Sequence, residues 1–188
     1  MHVFIKGVKM QIHKNILVRV DKEDLDKDGL FVVPEETKEI ASSAFMFCNE
    51  DLNKIVISEG VDTIEAFTFY GCENLREVEI PSSMREIGDL AFFDCFNLCA
   101  VEFPEGIERI GKGVFTTCVN LETVILPESV KKIGSDLFYG CESLKQLAIP
   151  KRFERELDEI LGPSVVSNNI EVLLTEPESA NQKQVENQ

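Results

Sequence analysis

A Phe-x-x-Cys pair returns at a nearly constant interval along the middle of this chain. The pairs are Phe45/Cys48, Phe69/Cys72, Phe92/Cys95, Phe115/Cys118 and Phe138/Cys141. The last three steps between them are identical, and the first is one residue longer. Apolar residues that recur with a period of roughly 20 to 50 residues are typical of a solenoid, in which each unit buries its apolar face only against its neighbours. The interval therefore predicts an elongated stack of coils.

The residues around each Phe-Cys pair repeat as well. Leu75, Val78, Ile80 and Pro81 return as Leu121, Val124, Leu126 and Pro127. The pattern Leu-x-x-Val-x-Ile indicates a short strand whose alternate residues point inward, and the following Pro ends it by removing a ladder donor. The V-x-x-I-G and A-F-x-x-C segments then turn the chain back, so we predict one coil per unit and five to six coils.

This repeat, written P-x-x-V-x-x-I-G-x-x-A-F-x-x-C-x-x-L-x-x-V-x-I, closely resembles the BspA-type leucine-rich repeat over about residues 30 to 150. Ser58 replaces the expected Pro, and Ala41 and Glu65 replace the expected Gly. The resemblance implies an α/β repeat solenoid, coiled right-handedly around a parallel sheet, and an interaction scaffold of the kind often found in bacterial surface adhesins. It implies no catalytic motif.

Both ends of the stack carry capping patterns, because a solenoid needs its open ends covered. Around the turn at His13-Lys14-Asn15, alternating apolar residues (Val8, Met10 and Ile12, then Ile16, Val18 and Val20) predict a hairpin. Phe153, Leu157, Ile160 and Leu161 have helical spacing before Gly162 and Pro163. We divide the chain into a capping hairpin and turn (1–29), repeats (30–150), a helix and last strand (151–174) and a flexible tail (175–188).

The register of the last strand follows from the repeat length. Ile170 and Val172 lie one repeat length after Leu147 and Ile149. This spacing predicts that they occupy the same inward positions, one coil further along.

Charge narrows the choice of partners. The 188 residues include 19 basic and 34 acidic residues, a net charge of -15. Nucleic acid is therefore excluded as a partner, because phosphate binding needs a basic surface. No apolar run approaches the ~20 residues that span a bilayer, and Met1–Lys6 lacks the features of a signal peptide. We expect a cytoplasmic protein or one exported by a non-classical route.

Cysteine positions argue against disulfides and zinc. Five of the six Cys share one repeat position, so we expect a buried column of free thiols ~4.8 Å apart, whose parallel side chains suit neither a disulfide nor a tetrahedral metal site. Cys99 falls instead in a polar column with Asn53, Arg76, Glu122 and Lys145. We therefore predict that Cys99 is the exposed thiol.

One motif suggests a metal. Asp24, Asp26, Asp28, Gly29 and Glu35 match the calcium loop D-x-D-x-D-G-x5-E, in which carboxylates surround a hard cation. The repeat register assigns residues 30–34 to a strand, however, and no helical pattern precedes Asp24. We therefore interpret the segment as a turn. The alternative is a calcium-dependent adhesive or structural domain.

Catalytic patterns are missing from the sequence. It has two His, His2 and His13, both in the capping segment, and none of the motifs G-x-x-x-x-G-K, G-x-S-x-G or H-E-x-x-H. We expect a non-enzymatic protein without a cofactor.

Function is then expected on surfaces. The outward residues of the strands form a column, Val32, Val56, Glu79, Glu102, Ile125, Ala148 and Glu171. In leucine-rich repeats this parallel-strand face is the usual docking surface. Glu77 joins Glu79 and Glu102 there, with Val56 and Ile125 on either side, and stacked Glu79 and Glu102 are like charges on adjacent strands. We predict that these five residues bind a protein with a basic, partly apolar surface.

A rival surface follows the repeat Phe. Its residues are Met46, Tyr70, Phe93, Thr116 and Tyr139, with Phe67 and Leu90 nearby. Exposed aromatic clusters can mark contact sites, but these side chains could equally be packing between coils. A surface adhesin and a host-directed effector are both compatible with this fold.

Overall fold

The computed structural model describes residues 10–163 and 170–177. Its elements are β1 (Gln11–His13), β2 (Ile16–Arg19), β3 (Leu30–Val32), β4 (Glu39–Ile40), β5 (Lys54–Val56), β6 (Thr63–Ile64), β7 (Glu77–Glu79), β8 (Glu86–Ile87), β9 (Ala100–Glu102), β10 (Arg109–Ile110), β11 (Thr123–Ile125), β12 (Lys132–Ile133), β13 (Gln146–Pro150), α1 (Leu157–Leu161) and β14 (Glu171–Thr175). A parallel-sheet solenoid of about seven turns results, which is more than the predicted five to six coils and confirms the predicted fold class.

Each repeat supplies two strands. The first strand of each unit (β3, β5, β7, β9, β11, β13 and β14) lies on the predicted strand face, where paired neighbours run parallel. The two-residue strands β4, β6, β8, β10 and β12 form a second parallel sheet. The sequence pattern presented these short segments only as turns, because two residues are too few to show an alternation.

Phenylalanine and cysteine side chains fill the interior in columns. Phe45, Phe69, Phe92, Phe115 and Phe138 are fully buried, and ring centroids of neighbours lie 4.8 to 5.9 Å apart. The five repeat Cys are buried free thiols and Cys99 is exposed, as predicted. Burial disfavours the thiolate and raises the pKa of Cys48 and of Cys141 to about 12.

The predicted hairpin covers the first coil. β1 and β2 are antiparallel, Lys14 and Asn15 have positive φ at the turn, and β2 pairs in parallel with β4. The alternation predicted for β2 is wrong, because Leu17 and Val20 are buried and Val18 is exposed. His2, Val8 and the remaining residues up to Lys9 lie outside the described residues.

The last coil is replaced by helix. A 3-10 helix (Lys151–Glu156) leads into α1, and Phe153, Ile160 and Leu161 are buried. The backbone N–H groups of Asp136 and Leu137 donate to carbonyls of α1, at 2.8 and 2.7 Å. In the part of the chain that the structure describes, no helix is long and apolar enough to cross a bilayer.

The register predicted for the last strand is wrong by two residues. In β14, Val172 pairs with Leu147 and Leu173 with Ala148, an offset two residues longer than the repeat. The helix lengthens the connection, and the two-residue slip keeps the same alternation of faces. β14 runs to Thr175, and the Glu176 carboxylate lies 2.5 Å from Lys151 Nζ. The remainder of the predicted tail, 178–188, is outside the described residues.

Candidate docking surface

The residues proposed for docking lie on one face, on four strands. Val56 on β5 is half-buried, whereas Glu77 and Glu79 on β7 and Glu102 on β9 are exposed. Ile125 on β11 is 57% exposed. Val56 pairs with Glu79, and Glu102 pairs with Ile125. The strand face thus places carboxylates between two apolar side chains.

Lys54 on β5 neutralises part of the negative charge of these carboxylates. Lys54 Nζ lies 2.8 Å from a Glu77 carboxylate oxygen and 2.7 Å from one of Glu79. Hydrogen bonds to Glu77 and then Glu79 stabilise the ammonium, which raises the pKa of Lys54. In the described residues, Glu102 has no ion-pair partner. The repeat position of Lys54 is occupied on β9 by Ala100.

The strand face is split between β7 and β9. Three strands (β3, β5, β7) form one sheet and four (β9, β11, β13, β14) form another. Arg76 N–H donates to Asn53 O at 2.9 Å and Glu122 N–H to Cys99 O at 3.0 Å. Between these steps, within the described chain, Cys99 N–H makes no such bond to Arg76 O. Glu79 and Glu102 are therefore on neighbouring strands, but their expected ladder pairing is wrong.

A shallow, open cleft of about 710 Å³ lies at the split. Its lining residues are Arg76, Glu77, Val78, Glu79, Ile80, Cys99, Ala100 and Glu102. Val78 and Ile80 are only partly buried there, whereas Val101 and Val124 at the inward position of the next two strands are buried. Like charges at stacked positions are destabilising, which is consistent with the opening beside Glu79 and Glu102.

The shifted register of β14 creates an apolar patch that the sequence did not predict. Leu173 takes the column position that had been assigned to Glu171 and is 62% exposed. It continues the line of Ile125 and Ala148, beside a smaller cleft of about 180 Å³. The strand face therefore has an acidic half and an apolar half.

The rival aromatic face is partly packed and partly exposed. Tyr70 and Phe93 stack with ring centroids 5.2 Å apart, and Thr116 is buried. Met46, Tyr70 and Tyr139 remain 52%, 47% and 46% exposed. These side chains provide a matched control surface for binding experiments.

The calcium-loop residues are engaged in local turns. The Asp24 carboxylate accepts from Asp21 N–H at 2.9 Å in a capping box. Asp26 accepts from the N–H groups of Leu30 and Asp28, which lowers the pKa of its carboxyl. Leu30–Val32 is a strand, as the repeat register predicted. Among residues 10–163 and 170–177, no group of three or more His, Cys, Asp or Glu side chains could hold a metal ion.

The family follows from a match to a known repeat. The sequence model of the family "BspA type Leucine rich repeat region" matches residues 37–160 of this chain, with six copies of the repeat. The chain belongs to this family. BspA-type leucine-rich repeat proteins are typically non-enzymatic binding scaffolds, and no catalytic family is indicated for this member.

Solved bacterial proteins share the fold. A leucine-rich repeat protein of T. pallidum, TpLRR, is 28% identical with a TM-score of 0.75, over 95% of this chain and 84% of its own. A leucine-rich cell surface protein of Faecalibacterium prausnitzii is 25% identical with a TM-score of 0.72, over 86% of this chain and 43% of its own. A leucine-rich repeat protein of Bacteroides ovatus is 27% identical with a TM-score of 0.62, over 84% of this chain and 45% of its own. This BspA-type chain thus spans under half of the latter two proteins. None of the curated proteins compared with it matches.

Proposed function

We propose that this BspA-type protein is a non-enzymatic interaction module that docks a partner protein on its parallel-strand face. The partner surface is basic and partly apolar, and the contacts are made by Val56, Glu77, Glu79, Glu102 and Ile125. The observation that carries the proposal is the exposure of the three carboxylates between Val56 and Ile125 on short parallel strands.

Charge and rigidity support this assignment. The chain has a net charge of -15, so electrostatic steering favours a basic partner. Side chains displayed on a hydrogen-bonded ladder lose little additional entropy on binding, which suits them for recognition. The exposed Ile125 adds apolar area next to Glu102, and Leu173 adds more two strands further along, as expected for an interface.

A charge-reversal experiment tests the proposal. The double variant Glu79→Lys with Glu102→Lys should retain a cooperative thermal melt, because both side chains are exposed, and should lose capture of the partner in affinity pulldowns. The measurement compares proteins captured from bacterial and host extracts by the wild type and by this variant.

The matched control changes the rival face. Tyr70→Ser with Tyr139→Ser removes two aromatic side chains of similar exposure and should leave capture intact. If the tyrosine variant loses the partner while the glutamate variant keeps it, the docking surface lies on the aromatic face instead.

A further inference from the structure

The split between β7 and β9 leaves open strand edges in the middle of the strand face. Among the described residues, Cys99 N–H and Arg76 O lack the mutual bond that is present at the neighbouring steps, from Arg76 N–H to Asn53 O and from Glu122 N–H to Cys99 O. Because β7 and β9 remain in contact, the break has room for a side chain of a partner and not for an inserted strand.

The cleft beside these edges combines an apolar floor with acidic rims. Val78 and Ile80 are partly exposed through the opening, and Ala100 adds a small apolar side chain. Glu77 and Glu79 lie on one side and Glu102 on the other. Long basic side chains suit such a site, because the stem packs on apolar surface while the charged end meets carboxylates.

The charges that line the cleft favour a bound cation. On the β5 side, Lys54 Nζ lies within 2.8 Å of both Glu77 and Glu79 carboxylates. On the β9 side, Ala100 occupies the position equivalent to Lys54, and Glu102 has no ion pair among the described residues. Among the described residues, Glu77 and Glu79 are thus paired with a cation and Glu102 is not.

Resting on the proposed docking function, we propose that the β7–β9 cleft receives one lysine or arginine side chain from an extended segment of the partner protein. The stem packs on Val78 and Ile80, and the cation meets Glu102. The docking face would then distinguish partners by whether they present a lysine or arginine side chain to the cleft.

Two defined peptides test the proposal on the full chain. Both are short, capped, extended threonine-valine peptides; one has a central lysine and its twin has norleucine, which keeps the stem without the charge. Fluorescence anisotropy should show roughly two- to fivefold tighter binding of the lysine peptide, the effect of one exposed ion pair. The bound lysine peptide should also slow alkylation of Cys99, the exposed thiol that lines the cleft.

Matched variants locate the preference. Glu102→Gln should abolish the preference for lysine, whereas Glu171→Gln, which neutralises an exposed strand-face glutamate outside the cleft, should keep it. Ala100→Lys supplies an internal ammonium and should weaken binding of the lysine peptide selectively. Ala100→Met adds similar bulk without charge and should change the affinity of both peptides by the same factor. Thermal melts by circular dichroism establish that each variant is folded.

The outcomes separate this proposal from the docking function. Equal affinity of the wild type for both peptides, or a lysine preference that survives in Glu102→Gln, overturns the cleft proposal even if partner capture still requires Glu79 and Glu102. Conversely, a Glu102-dependent lysine preference supports the cleft even if partner capture maps to the aromatic face, in which case only the docking proposal fails.

Discussion

Two parallel sheets pass through the same coils of this BspA-type protein, and only one of them is continuous. β8 and β10 are paired, and Gly111 N–H donates to Ile87 O at 2.8 Å. On the strand face of the same two coils, β7 and β9 belong to separate sheets. The two coils are therefore joined by a strand ladder on one side, whereas on the other side β7 and β9 touch without a ladder.

The side chains at the equivalent positions differ between the two sheets. Across β8 and β10, Glu86 forms an ion pair with Arg109. Across β7 and β9, Glu79 is paired with Lys54 of β5, whereas Glu102 has no ion-pair partner among the described residues. In a solenoid, equivalent side chains of neighbouring coils are one strand spacing apart. Like charges at equivalent positions therefore weaken the pairing of the two strands that carry them. The unpaired carboxylate of Glu102 is therefore a candidate cause of the split, which the variants below test.

The largest expected effect comes from deletions that move the split. Removing one full repeat, Ser82–Pro104, deletes β8 and β9 and places β7 beside β11, with Ile125 next to Glu79. We expect a folded, shorter solenoid with a cooperative melt by circular dichroism. Removing only about half a repeat, Ser82–Phe92, turns inward residues to water and should abolish the cooperative melt. Equal cooperative melts of both deletions would contradict the repeat register.

The Cys99 thiol in the cleft should be alkylated orders of magnitude faster than the five thiols of the core. Cys99 lines the cleft and should alkylate rapidly in the native protein, whereas the five buried thiols require unfolding and have raised pKa values. We expect one fast thiol, lost in Cys99→Ser, and six on denaturation without reductant. Fewer than six would mean that disulfides are present.

Two valines at equivalent positions should differ in their contribution to stability. Val124→Ala empties a fully buried site in the continuous part of the strand face and should lower the free energy of unfolding by about 2 kcal/mol. Val78→Ala acts at the cleft, where the side chain is partly buried, and should cost roughly half as much or less. Urea denaturation measures both, and equal losses would show that the cleft is closed in solution.

The smallest effect is expected from removing the like charge alone. Glu102→Gln relieves the repulsion beside Glu79 and should slow hydrogen exchange of the Cys99 N–H, with little change in the urea midpoint. Glu171→Gln controls for the loss of one negative charge elsewhere on the strand face. If both variants change exchange at Cys99 equally, the split has another cause than local charge.

The sequence was sufficient where the repeat is regular. The period placed the Phe and Cys columns in the core and Cys99 outside it, and both predictions are confirmed. It was insufficient where one unit departs from its neighbours. The helix at 157–161 shifts β14 by two residues, which alternation cannot detect because side chains keep the same face. The split between β7 and β9 was not predicted, because the repeat pattern assigns the same strand positions to paired and unpaired strands alike.

The ladder of phenylalanine rings gives the protein an optical signal of its own. The chain has 13 Phe, two Tyr and no Trp, so indole absorption does not mask the phenylalanine bands of a near-ultraviolet circular dichroism spectrum. Phe69, Phe92, Phe115 and Phe138 are stacked within 12° of parallel from one ring to the next, inside a core that fixes their orientation. Their sharp vibronic structure should therefore report, without any label, whether the coils remain in register.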